Sequence, residues 1–149
     1  MEITCSIDIE ASPEVVFYWV GDPERAMSWT SSVSSYKILH KTPGWVGTTF
    51  VEVVQDEEGK TEMHGEVIAY EANRSMAFHL EGKYNIADVS YHLQEIESGT
   101  RLTQHADIQF KGVLRIMNLF MGSTFKKKIL SQQQSEFEKL KELCEADGK

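Results

Sequence analysis

Tight-turn chemistry interrupts residues 32–110 at short intervals, and this limits the fold more than any other feature of the chain. The turns are Pro43-Gly44, Glu58-Gly59-Lys60, Asn73-Arg74, Gly82 and Ser98-Gly99. They separate six runs with strand character, at 32–40, 47–56, 61–71, 75–81, 86–96 and 100–110. Connections this short predict that sequence neighbours pair antiparallel. Residues 2–10 add a seventh strand: Ile3, Cys5, Ile7 and Ile9 share one face, while Thr4, Ser6, Asp8 and Glu10 share the other.

Two short helices are expected between the first strand and the rest. Ser12-Pro13-Glu14 supplies an N-cap, a proline at the first helical position and an acid in the first turn. Val15 to Val20 follow, and Gly21 ends that helix. Asp22-Pro23-Glu24 repeats the signal for a second helix reaching about Trp29. At the far end, Leu114, Met117, Met121, Phe125, Ile129, Gln133, Phe137, Leu140 and Cys144 recur every three or four residues. This pattern predicts one long helix over about 112–145, with a bend near Gly122-Ser123.

Composition excludes several classes of function. With 149 residues, 41% of them hydrophobic, the chain can bury a core as a single domain, 1–149. A net charge of −8 repels phosphate backbones, so nucleic acid is not an expected partner. No apolar run is long enough to span a bilayer, and MEITCSIDIE lacks the basic and apolar regions of a signal peptide. The expected location is the cytoplasm, with Cys5 and Cys144 as reduced, buried thiols.

Alternation along the strands gives a candidate inward face. From 61–71 come Met63, Val67 and Ala69, with Gly65 among them; from 75–81, Met76, Phe78 and Leu80. From 86–96 come Val89, Tyr91 and Leu93; from 100–110, Leu102, Gln104, Ala106, Ile108 and Phe110. Pairing of residue 96 with 101 would set Tyr91 opposite the small Ala106. Gln104 and Gln133 fall on otherwise apolar faces. An unpartnered buried amide costs about 1–3 kcal/mol, so each must bond to the other, to Tyr91, to water or to a ligand.

Several local strings resemble the START-like superfamily, and within it the polyketide cyclase/dehydrase and lipid-transport group. Ala11-Ser12-Pro13-Glu14-Val15-Val16-Phe17 resembles that group's first strand-to-helix turn, and Trp29 the tryptophan closing its second helix. Gly47-Thr48-Thr49-Phe50 resembles the opening of its third strand, and Gly99-Thr100-Arg101-Leu102-Thr103 the start of its last. The likeness spans the whole chain. It implies an α+β helix-grip fold: a seven-stranded curved antiparallel sheet around a long C-terminal helix, with two short helices after the first strand.

The resemblance further implies a cavity between sheet and helix. Met63, Val67, Met76, Phe78, Val89, Tyr91, Gln104 and Ala106 would line its sheet side. Met117, Met121, Phe125 and Gln133 would line its helix side, the methionines giving an adaptable surface. Three readings compete: a carrier or sensor of a hydrophobic small molecule or lipid, a cyclase or dehydratase, and an interaction module whose cavity is filled. The first is preferred because the inward face, read by parity, offers no titratable pair. No cofactor is implied. Glu10 and Glu95, near strand ends, are candidate rim carboxylates.

Two further features invite function. His64, His79, His92 and His105 fall on the outward face, where His79 is expected between Glu66 and Asp88, and His92 opposite His105. A solvated face with cross-strand pairs is the favoured reading, against a surface zinc or pH-sensitive dimer contact. No metal site is expected, since neither thiolates nor helical histidine spacing supports one. Segment 113–121 is apolar nearly all round and is followed by Lys126-Lys127-Lys128. It needs a cover, and transient membrane contact through 113–128 and a homodimer are both candidates.

Overall fold

The structure, a computed structural model, describes residues 1–56 and 59–147. The order is β1 (Glu2–Ile9), α1 (Pro13–Val20), α2 (Pro23–Ala26), β2 (Val33–His40), β3 (Thr49–Asp56), β4 (Gly59–Glu71), β5 (Ser75–Gly82), β6 (Asn85–Ile96), β7 (Gly99–Phe110) and α3 (Val113–Asp147). The strands form one antiparallel sheet in the spatial order β1-β7-β6-β5-β4-β3-β2. This is the helix-grip α+β architecture: consecutive hairpins build a curved sheet, β1 closes against β7, and α3 packs on β1 and β7. Of the expected Glu58-Gly59-Lys60 turn, Gly59 and Lys60 begin β4, and Glu58 lies outside the described residues.

Local chemistry accounts for the element ends. The Val15 N–H donates to Ser12 Oγ at 3.4 Å, and the Glu24 N–H to Asp22 Oδ1 at 2.9 Å, so both expected caps form. Asn73 takes the left-handed conformation at the β4–β5 turn (φ 65°). At the β6–β7 turn Gly99 has φ 149°, and a Cβ there would lie 2.2 Å from the Ile9 carbonyl oxygen. Only glycine admits that approach.

Two expectations of register are corrected. The β6–β7 hairpin is tighter than expected: Ile96 pairs with Gly99, so Tyr91 stands opposite Gln104 rather than Ala106. His92 therefore pairs with Thr103, although its ring still lies 5.9 Å from that of His105. In β4 the register against β5 slips between Val67 and Ala69. This bulge reverses the alternation, so Ala69 is exposed and Tyr70 turns inward. Strand parity alone cannot anticipate the extra residue.

The core has two centres. Beneath α3, Ile9, Leu102, Phe137, Leu140 and Cys144 are fully enclosed, with Trp29 wedged among them. Its indole N–H donates to the Trp19 carbonyl at 3.0 Å, and its ring meets Tyr91 and Phe137 at 6.4 and 6.3 Å. The second centre, Phe50, Met63, Val67, Leu80 and Ala87, lies on the β3–β6 side. Both cysteines are buried and free, as expected of small core side chains. The Cys5 thiol donates to Gln134 Oε1 at 3.7 Å.

In α3, Met121 has non-helical dihedrals (φ −124°, ψ 17°), one residue before the expected bend. Beyond it the stripe buries Phe137, Leu140 and Cys144 as expected. Before and just past it, half-buried Leu114, Asn118, Gly122 and Phe125 face the protein, while Met117 and Met121 lie exposed. No described helix is long and apolar enough to cross a membrane.

Gly65 makes this packing testable. A Cβ there would lie 2.1 Å from Phe50 Cζ, and that ring is held by Tyr36 stacked at 4.9 Å and Phe78 edge-on at 6.1 Å. Gly65→Ala is expected to cost about 1–3 kcal/mol in urea unfolding. Adding Phe50→Leu should cost less than the sum of the two single changes, because the smaller side chain vacates the clash. Strict additivity would show that the ring is not wedged.

Candidate functional site

Seven strands expose more inner surface than α3 covers, and a partly enclosed space of about 240 Å³ remains on the β2–β6 side. Four parts of the chain close it. The sheet supplies Tyr36, Phe50, Glu52, Val67, Met76, Phe78, Val89, Tyr91 and Gln104; the short-helix region supplies Pro23, Ala26, Met27, Trp29 and Thr30; and α3 supplies Gln133 and Glu136. The loop before β3 adds Trp45. That loop is tied to β4 by the Gly47 N–H on the Val67 carbonyl at 2.8 Å and the Val67 N–H on the Thr48 carbonyl at 2.9 Å. Trp45 stacks on Tyr70 at 5.9 Å, and Tyr70 meets the edge of Phe17 at 5.4 Å. The bulge in β4, by turning Tyr70 inward, thus makes the seat on which this wall rests.

Aromatic rings run across the cavity from sheet edge to helix. Tyr36 stacks on Phe50, Phe50 meets Phe78, Phe78 lies 6.1 Å from Tyr91, and Tyr91 adjoins Trp29. These separations suit favourable ring pairs. Among this apolar surface stand a few polar groups. Gln104 Nε2 donates to Tyr91 Oη at 2.9 Å, so one expected buried amide is satisfied by the neighbour that the true register supplies. Because the Tyr91 oxygen accepts that bond, its own proton is left to donate elsewhere. Burial holds the Tyr91 phenol above its ordinary range, the Gln104 bond opposes that, and the charges of Glu136 and Glu52 add to the rise. Gln133 Nε2 and Thr30 Oγ1 are buried without a partner among the described residues.

Two carboxyls border the same space, which strand parity as applied to 61–110 did not reveal. Glu52 lies on β3 between Tyr36 and Met63 on the neighbouring strands, facing inward with Phe50. Among the described residues it makes no hydrogen bond or ion pair. Burial pushes its pKa up to about 7. Burial also raises the Tyr36 phenol, with the charges of Glu52 and Asp22 contributing less. Glu136 is differently placed. Its Oε1 accepts from the Ser31 N–H and hydroxyl, each at 3.0 Å, and from Gln132 Nε2 at 3.4 Å. The signal for Glu52 was available: β3 alternates Phe50, Glu52, Val54, an acid on an apolar face.

The expected lining residues divide. Val67, Met76, Phe78, Val89, Tyr91, Gln104 and Gln133 border the cavity. Met63 is buried beside Phe50 in the second core, outside the cavity lining. Ala106 pairs with Val89 nearer β1 and does not reach the lining. Phe125 packs on Phe110 at 5.9 Å, while Met117 and Met121 lie on the exposed start of α3. The greasy segment 113–121 therefore forms no part of the cavity wall. Glu10 and Glu95, weighed as rim carboxylates, are exposed and also lie outside it.

The histidines keep to the outer face. His79 stands between Glu66 and Asp88, with Nδ1 at 2.6 Å from Asp88 Oδ1, and His105 Nδ1 lies 3.0 Å from Thr4 Oγ1. Among the described residues no group of three or more His, Cys, Asp or Glu side chains converges on a common point.

Glu52 gives the fold a defined pH dependence. Between its ordinary value of 4.5 and about 7, the folded chain holds a proton that the unfolded chain has released. Stability from this group therefore falls as pH rises through that window, by about 3 kcal/mol when complete. Glu52→Gln is expected to flatten this dependence, making the variant the more stable at about pH 8 but not at about pH 4, on either side of the window. Urea unfolding at both values checks it, and parallel shifts at the two would contradict it.

The comparisons with known proteins agree with this architecture. Residues 1–145 match the family model described as polyketide cyclase / dehydrase and lipid transport. No curated protein sequence matches the chain. Among solved structures, TTHA0849 from Thermus thermophilus superposes with a TM-score of 0.83 at 17% identity, over 100% of both chains. SA2116 of Staphylococcus aureus, a protein of unknown function, gives 0.75 at 15% identity over 99% of this chain and 94% of its own. The di-domain ARO/CYC StfQ of the steffimycin biosynthetic pathway gives 0.81 at 8% identity, over 98% of this chain and 51% of that one. At such identities the structural likeness speaks for the fold alone, whereas the match over residues 1–145 shows that the chain belongs to the polyketide cyclase/dehydrase and lipid-transport family.

Proposed function

We propose that the protein binds a compact hydrophobic molecule bearing acceptor oxygens in the cavity between sheet, short helices and α3. The observation that carries this is the set of donors left over in an apolar space. The Tyr91 hydroxyl, Gln133 Nε2, the Thr30 hydroxyl and Glu52 when protonated all border it. Apolar walls with a few such groups are typical of small-molecule sites. Among the described lining residues there is no Lys, Arg or His to hold an anion, which argues against a free fatty acid. A volume of about 240 Å³, roughly that of eight waters, suits one or two rings better than a long acyl chain.

Glu52 favours a second reading, a cyclase or dehydratase. A carboxyl with a pKa of about 7 in a mostly apolar site suits general acid–base work near neutrality. The Tyr91 hydroxyl would steady an oxygen as it gains negative charge. The preference for pure binding rested on the lack of inward titratable groups, and Glu52 with Glu136 removes that ground. The exposed start of α3, segment 113–128, we assign to a further contact outside the cavity.

Native mass spectrometry of protein from its own host is expected to show a bound neutral molecule, and N-phenylnaphthylamine should fluoresce when it enters the cavity. Val89→Phe should fill the space and abolish both signals while leaving circular dichroism unchanged. Unaltered probe binding in that variant would overturn the site assignment. Gln133→Leu and Tyr91→Phe should each weaken retention of the co-purified molecule by about 3–10-fold, the worth of one hydrogen bond. Turnover of a polyketide that disappears in both Glu52→Gln and Tyr91→Phe would establish the second reading over the first.

A further inference from the structure

The first turns of α3 are amphipathic in the wrong direction. Half-buried Leu114, Asn118, Gly122 and Phe125 face the protein, and Asn118 Oδ1 is buried there without a partner among the described residues. Val113, Ile116, Met117 and Phe120, spaced i, i+3, i+4 and i+7, form a stripe facing away from it. Val113 is 70% exposed, Ile116 58%, Leu119 79% and Phe120 84%. Such a stripe stays in water only at a cost, so it marks a contact surface.

The charge around it identifies the partner. The chain carries −8, yet residues 108–135 contain five bases, Lys111, Arg115 and Lys126 to Lys128, and no acid. Lys111 pairs with Glu81 at 3.4 Å, whereas Arg115, Lys126, Lys127 and Lys128 are exposed and form no ion pair among the described residues. The β5–β6 hairpin stands at the same end: the Lys111 N–H donates to the Tyr84 carbonyl at 2.8 Å, and exposed Tyr84 has Lys83 over its ring. An apolar stripe, an interfacial aromatic and a basic collar within an acidic protein suit an anionic bilayer. A second copy of this chain would bring a like-charged collar against the first.

We infer that α3 residues 113–121, with the Tyr84 hairpin and Lys126–Lys128, dock the protein on the surface of anionic membranes. The apolar stripe enters the interface and the lysines meet the headgroups; nothing spans the bilayer. This docking does not depend on what the cavity holds, so its test uses empty vesicles and reads only attachment.

Wild-type protein is expected to co-sediment with vesicles of phosphatidylglycerol and phosphatidylcholine, less as salt rises, and weakly with phosphatidylcholine alone. Leu119→Asp with Phe120→Asp should abolish attachment. Lys126→Gln, Lys127→Gln and Lys128→Gln together should weaken it by about a hundredfold and reduce the salt dependence, which Arg115 then sustains in part. These side chains are exposed, so unchanged circular dichroism and urea unfolding should show that the fold persists. Absence of attachment to anionic vesicles would overturn the inference, as would equal attachment to neutral ones. Sedimentation equilibrium showing a dimer that Leu119→Asp with Phe120→Asp dissolves, without vesicle binding, would assign the face to a second copy instead.

Discussion

One helix cannot cover seven strands. Six interstrand steps at about 4.8 Å make a sheet about 29 Å wide, whereas a helix with its side chains is about 10–12 Å across. In this chain α3 settles on the β1–β7 side, where Ile9, Leu102, Phe137, Leu140 and Cys144 lose all contact with water. The remaining inner face must curl and find other cover. Trp29 supplies the join, because its ring touches both Tyr91 of the sheet and Phe137 of the helix while its N–H holds the end of α1. The short helices and the Trp45 loop then roof what α3 leaves open, and the cavity is the part they do not fill.

The polar groups in that space follow from where cover runs out. Glu136 sits where α3 meets the residue after Thr30, and the Ser31 backbone and hydroxyl satisfy it. Glu52 is nearer the open edge of the sheet, where none of the described residues offers it a donor, and desolvation by burial is the cause of its raised pKa. The carboxyl on the helix side is fixed, and the one on the sheet side is free.

Much of the fold was legible because it depends on local chemistry. Ser12, Asp22, Asn73 and Gly99 do in the structure what their residue types imply. Alternation put Tyr91, Gln104, Leu102 and Phe78 on the inner face correctly. It failed at Ala69 and Tyr70, since one extra residue in β4 exchanges the faces and leaves no mark in composition. The apolar period in α3 misled as well. Met117 and Met121 of that stripe, with Ile116, Leu119 and Phe120 beside them, are left outside.

The sequence by itself determined the number and order of elements, their antiparallel pairing, the helix caps and the sense of most strand faces. These follow from dihedral preference, hydrogen bonding and side-chain period, which act over a few residues. Only the tertiary structure decided that Tyr91 meets Gln104, that Tyr70 seats Trp45, that Glu52 is desolvated and that the start of α3 points its apolar stripe outward. Each of these depends on distances between segments far apart in the chain. Such distances are set by the curvature of the sheet and the narrowness of the helix that grips it.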